Sequence, residues 1–201
     1  MNSIIGHTSY KGYTAQQHGD AFDVFKEFLK EIKPSQILEI GTAGGGFTLF
    51  LREALNEIGL ESTKIKSFDV LPCNWYDTIR ENNVEIIVEN IFDHSYMNLE
   101  KPEKVVPFIQ QDGVTLVLCD GGFKIGEFRM LSPYLKVGDY IMAHDYVDTI
   151  ENFESNFRDK IWNWCEIKDS DISEACEKNN LTPYNKENFD KVVWVCRKKE
   201  F

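Results

Sequence analysis

The run Gln36-Ile37-Leu38-Glu39-Ile40-Gly41-Thr42-Ala43-Gly44-Gly45-Gly46-Phe47-Thr48 most restricts what this chain can become. It opens as a short apolar stretch and turns at clustered glycines. It continues with Phe47, Phe50, Leu51, Ala54, Leu55 and Ile58, spaced three or four apart. That spacing marks one face of a helix, so the segment reads as strand, glycine turn, helix. Glycines take positive φ and let a ligand approach the main chain. The helix start aims unpaired N–H groups and its positive dipole end at the same point.

Three ligand classes use such a turn. A phosphate loop needs Lys followed by Ser or Thr after its last glycine, and here Phe47-Thr48 follows. A dinucleotide fold needs G-x-G-x-x-G, a spacing that Gly41-Thr42-Ala43-Gly44 breaks. The third pattern is E-x-G-T-x-x-G-G, and Glu39 supplies its acid. An acid at a strand end suits a cationic or hydroxyl-bearing ligand better than a diphosphate.

Six further strands are expected, over residues 64–70, 85–90, 114–120, 140–146, 164–167 and 192–196. Helices are expected after Asp20, around residues 75–83, from Phe123 to Leu135, and through Phe153, Phe157 and Ile161. Residues 93–105 read as loop, and the last two strands are joined by a polar excursion. Strands alternating with helices imply right-handed crossovers. The fold expected is α/β, Rossmann-like and doubly wound, with a seven-stranded, mostly parallel sheet and an antiparallel closing strand. A chain of 201 residues suits one domain. It divides into a 1–19 arm or lid and a single domain over 20–201.

Net charge is −11, which repels polyanions and argues against a nucleic-acid partner. No apolar run approaches the ~20 residues of a membrane span. Residues 1–11 have neither a basic start nor an apolar stretch, so no signal peptide is expected. Five cysteines without a C-x-x-C pair read as reduced thiols of a cytoplasmic protein, with no zinc site.

Ligands of such sheets bind beyond the carboxyl ends of the strands. Glu39, Asp69, Asn90, Asp120 and the pair His144-Asp145 fall there. Asp69, one strand-helix-strand unit past Glu39, can accept hydrogen bonds from both ribose hydroxyls of a nucleoside. Asn90 suits an adenine edge, with Ile91 or Phe92 covering the ring. Asp120 and Asp145, with His144 beside them, form a candidate Mg or Mn site. The alternative is that His144 packs and Asp120 faces the cofactor. Adjacent side chains of a strand point to opposite faces, so His144 and Asp145 converge only if the strand has already broken into loop.

Together these residues resemble a class I S-adenosylmethionine-dependent methyltransferase, and most closely the cephalosporin hydroxylase/rhamnosyl O-methyltransferase-like family. The resemblance rests on Tyr10-Lys11-Gly12, Gln17, Asp20, Pro34 and the run from Glu39 to Gly46. It continues in Asp120, Tyr134-Leu135, Gly138-Asp139-Tyr140 and His144-Asp145. It implies a methyltransferase fold, with cofactor contacts from Glu39, Gly41, Thr42 and Asp69; Gly45 in the same turn is a further cofactor-binding candidate. It also implies metal contacts from Asp120 and Asp145. Two departures stand out. Phe123 occupies a position where the family commonly has His, and His144 one where it has an acid, so a full carboxylate triad is absent. Related O-methyltransferases carry a general-base lysine near Lys124, usually one residue earlier.

The function expected is O-methylation of a small-molecule or sugar hydroxyl. A metal at Asp120 and Asp145 would lower the hydroxyl pKa; without one, His144 is the natural base and Lys124 the second candidate. The segment from Tyr10 to His18 reads equally as a lid over substrate or as an arm on a second subunit of a homo-oligomer. Two other readings share the sheet: a nicotinamide-dependent oxidoreductase, and a non-catalytic nucleoside-binding or oligomeric interaction protein.

Overall fold

The computed structural model describes residues 8–95 and 97–201. Most of the leader expectation concerns residues 1–7, which lie outside them. A two-stranded hairpin, β1 (Ser9–Tyr10) and β2 (Tyr13–Thr14), precedes α1 (Ala21–Ile32). Asp20 stands at the N-cap of α1, but its side chain makes no capping bond. The glycine run folds as expected, into β3 (Gln36–Ile40), a turn, and α2 (Gly46–Glu57). Then come β4 (Lys64–Asp69), α3 (Tyr76–Arg80), β5 (Val84–Val88), α4 (Pro102–Ile109), β6 (Thr115–Cys119) and α5 (Lys124–Leu131). The chain closes with β7 (Tyr140–Ala143), α6 (Ile150–Asn152), α7 (Asp169–Lys178), β8 (Leu181–Pro183), α8 (Lys186–Asp190) and β9 (Val195–Lys199).

Seven strands form one sheet in the order β5-β4-β3-β6-β7-β9-β8. Neighbours from β5 to β7 pair in parallel, and β9 is antiparallel to both β7 and β8. Alternation along the strands splits the core in two. Ile37, Leu116, Leu118 and Met142 face Phe25, Phe28, Phe47, Phe189 and Trp194, from α1, α2, α8 and the segment before β9. Leu38, Val117, Cys119 and Ile141 face Val105, Ile109, Phe128, Leu131 and Ile172, from α4, α5 and α7. The sheet reverses direction of winding between β3 and β6, and the crevice at that switch point opens at their carboxyl ends.

Four expectations need correction. Residues 164–167 form no strand; a single bridge joins Ile167 to Tyr146. Ile167 is buried in the core beside Ile141 and Ile172, while Trp164 stays 44% exposed. The edge strand is β8, inside what reads as a polar excursion. α7 hides there because Ile172 is its only buried residue, too little for a periodic signal. The last strand begins at Val195, not Val192, because Val193 adopts a left-handed φ of 56° and the chain is still turning. Pro102 also starts a helix within the stretch expected to be loop. All five cysteines are free. No helix among the described residues is long and apolar enough to cross a membrane.

Candidate active site

The turn after β3 is set by close approach. Gly41 has φ 95°, and a Cβ there would lie 2.2 Å from the Asp120 carbonyl oxygen. Only glycine lets the ends of β3 and β6 come this near. Gly41 N–H donates to Phe68 O (2.8 Å) and Asp120 N–H to Ile40 O (2.8 Å), which locks the three strand ends together. Gly44 and Gly46 serve a different neighbour. A Cβ on either would strike Thr14 or Tyr13, so the β1–β2 hairpin sits on this turn.

A cleft of about 400 Å³ opens here, lined by Gly41, Ala43, Asp69, Asn90, Ile91, Asp120, Gly121 and Glu127 among others. Asp69 accepts from Ala43 N–H (2.7 Å) and Leu71 N–H (2.9 Å), one bond per carboxylate oxygen. Asn90 Oδ1 accepts from Phe92 N–H (3.0 Å), which folds the chain so that Asn90 and Ile91 both border the cleft. Glu39 and Thr42 do not line it. Glu39 is buried beneath the turn and accepts from Thr48 Oγ1 (2.7 Å) and Ser67 Oγ (2.5 Å). Burial pushes its carboxyl up to about 7, against the lowering effect of those two bonds. Thr42 Oγ1 pairs with the same Ser67 hydroxyl at 2.6 Å. Gly45, in the left-handed region at φ 74°, packs against Ile79. Glu127, fully buried, accepts from Gly121 N–H and Phe123 N–H (3.1 Å each) and shapes the loop after β6.

A second, more polar cavity of about 260 Å³ adjoins the first. Gln16, Lys124, His144, Asp145, Trp162, Trp164 and Glu166 line it, and Asp120 and Gly121 line both. β7 ends at Ala143, and Asp145 takes a left-handed φ of 56°. The strand has therefore broken before His144, and adjacent side chains converge. His144 Nδ1 lies 3.0 Å from Asp120 Oδ1 and 3.6 Å from Asp145 Oδ1. Its ring stacks on Trp194 and meets Trp162 edge-on, and its Nε2 is buried without a partner. Burial opposes charge on the imidazole, but Asp120 and Asp145 outweigh it and raise its pKa above the ordinary value. Burial likewise opposes ionisation of Asp145; His144 and Lys124 overcome it and hold its pKa below the usual carboxylate range.

Asp120, His144 and Asp145 each place a ligand atom within 4.8 Å of the others, a spacing one ion can bridge. Their lone pairs are otherwise engaged. Asp120 Oδ2 accepts from Gln17 Nε2 (2.8 Å), Asp145 Oδ1 from Trp162 Nε1 (2.5 Å), and Lys124 Nζ lies 2.9 Å from Asp145 Oδ2. With an ammonium inside the cluster, the donor set does not fit a divalent ion as it stands. Nor does Lys124 suit a base. Burial would favour its neutral form, yet Asp120, Asp145 and Glu166 drive its pKa far above the ordinary value.

Sequence reasoning gave Gln17 no role. It is fully buried, accepts from Trp194 Nε1 (2.8 Å) through Oε1, and so ties Asp120 to the ring beneath His144. An amide in a loop carries no periodic signal. Trp164 and Glu166 were hidden by the strand reading of residues 164–167, and Trp162 falls between that strand and the helical spacing of Phe153, Phe157 and Ile161.

Residues 15–187 match the model of the FtsJ-like methyltransferases. The chain belongs to that family. Among curated proteins it is similar to the rhamnosyl O-methyltransferase of Mycobacterium tuberculosis (strain ATCC 25618 / H37Rv). The two are 24% identical over 156 residues, which cover 72% of this chain and 59% of the relative. Among solved structures, an apo structure of CmcI superposes with a TM-score of 0.64 at 15% identity, over 96% of this chain and 77% of that one. A CmcI structure with Mg and SAM gives 0.59 at 16% identity, over 95% and 76%. These likenesses carry the fold: the Rossmann-like methyltransferase sheet.

Proposed function

We propose that this chain is an S-adenosylmethionine-dependent O-methyltransferase acting on a small-molecule or sugar hydroxyl. One observation carries the reading: two cavities, one suited to a nucleoside and one polar, share Asp120 and Gly121 as a common wall. Group transfer needs donor and acceptor side by side. Family membership favours methyl transfer over the nicotinamide reading.

The cofactor supplies an activated sulfonium methyl, which needs an in-line oxygen about 3 Å away and an outlet for the hydroxyl proton. Asp69 has one backbone bond per oxygen and keeps lone pairs for two ribose hydroxyls. Asn90 and Ile91 border the same cleft and suit the adenine. Asp120, oriented by Gln17, lies 3.0 Å from His144 Nδ1 and is placed to stabilise the imidazolium that forms when the ring takes the hydroxyl proton. His144 is the base in this scheme. Trp162 and Trp164 give the acceptor cavity aromatic walls, as a sugar or small polyol would use. Net charge −11 supports an acceptor other than nucleic acid, and five free thiols support a cytoplasmic location. Residues 8–19, seated on glycines of the turn, act as a fixed roof.

Calorimetry with S-adenosylhomocysteine tests this. Asp69→Ala removes a charged acceptor of two bonds, worth roughly 1.5–3 kcal/mol each, and affinity should fall at least tenfold. Unchanged affinity removes Asp69 from the site. Binding of NADH without S-adenosylhomocysteine overturns the assignment.

A further inference from the structure

We propose that the Lys124 ammonium takes the place of a divalent ion in this site, so that the chain needs no bound metal. Lys124 would hold this place whatever the reaction; that the reaction proceeds without metal rests on the methyl-transfer reading above.

The geometry leaves no room for both cations. Lys124 Nζ is 2.9 Å from Asp145 Oδ2, 3.9 Å from Asp120 Oδ1 and 2.8 Å from Glu166 Oε2. An ion bonded to Asp120 and Asp145 at ~2.0–2.1 Å would sit within a few ångströms of that ammonium, and like charges at such range repel strongly in a partly dry site. Lys124 is only 6% exposed, so it cannot yield by swinging into solvent. All three of its protons have acceptors, the third being Gly121 O at 3.1 Å.

The rest of the cluster agrees. All four oxygens of Asp120 and Asp145 already face a protein donor: Gln17, His144, Trp162 and Lys124. His144 turns Nδ1 toward Asp120, and that nitrogen cannot donate to the carboxylate and offer a lone pair to an ion at once. Hard cations prefer oxygen, and here an imidazole supplies the third ligand atom. Lys124 also performs the mechanical task of an ion. It ties the loop after β6 (Gly121), the loop after β7 (Asp145) and the segment carrying Trp164 (Glu166) into one wall of the acceptor cavity.

The test titrates Mn²⁺ against the wild-type protein, Lys124→Ala and Lys124→Met, with free ion read by electron paramagnetic resonance. S-adenosylhomocysteine affinity is measured on the same samples and reports separately on the methyl-transfer reading. The wild type should take up no Mn²⁺ at micromolar concentrations. Both variants should bind it roughly tenfold or more tightly than the wild type once the like charge is gone, and a further Asp145→Asn should abolish the gain. One equivalent bound to the wild type at micromolar Mn²⁺, and lost in Asp120→Asn, overturns the proposal. Folded variants that gain no affinity overturn it too. If neither variant folds, the wild-type titration alone decides.

Discussion

His144 is the residue on which the chemistry turns, and its environment sets its pH range. Burial favours the neutral ring, whereas Asp120 and Asp145 favour the charged one and prevail. A base must be neutral to act, so activity should rise with pH through a value above the ordinary ~6.5. His144→Gln should lose that acid limb and roughly 10²–10⁴-fold in kcat/KM; a pH profile with the same limb in the variant would remove His144 as base. Asp69, Asp120 and Asp145 were legible from strand-end position alone, because a parallel sheet sends its strand ends to one edge. Glu39 shows where that logic stops. It also ends a strand, but its side chain points beneath the turn to Thr48 and Ser67. Strand alternation assigns faces only once the register with a helix is known.

Among the elements, the β1–β2 hairpin and the glycine turn depend on each other. Gly46 begins α2, where alanine is intrinsically better by about 1 kcal/mol. Its added Cβ, however, would lie 2.4 Å from Tyr13 O, a backbone atom. Overpacking of this kind costs roughly 1–3 kcal/mol, so Gly46→Ala should destabilise the protein and expose residues 8–19 to limited proteolysis. A variant that melts higher with the hairpin still protected would mean that the hairpin does not rest on the turn. The glycines read in the sequence as ligand-facing are thus partly packing residues. Composition cannot separate the two, since both uses need a missing Cβ. A related ambiguity misplaced residues 164–167: Trp164 and Ile167 carry the apolar signal of a strand, while Trp164 forms a cavity wall and Ile167 fills the core.

Across the whole molecule, the sheet was legible from β3 to β7 because each strand is a short apolar or alternating run set apart by turns and helices. The far edge was not, because β8 is three residues long and α7 buries a single apolar side chain. What the sequence could not state is that two cavities meet at Asp120; that follows only from the order β3-β6-β7. The central claim is that a methyl donor and an acceptor share this junction. A crystal structure of the chain with S-adenosylhomocysteine tests it most directly. The ribose should lie on Asp69, the adenine beside Asn90 and Ile91, and the sulfur at the Asp120–Gly121 wall, facing the cavity of His144. A ligand bound with its sulfur turned away from Asp120, or bound outside this cleft, would contradict the account.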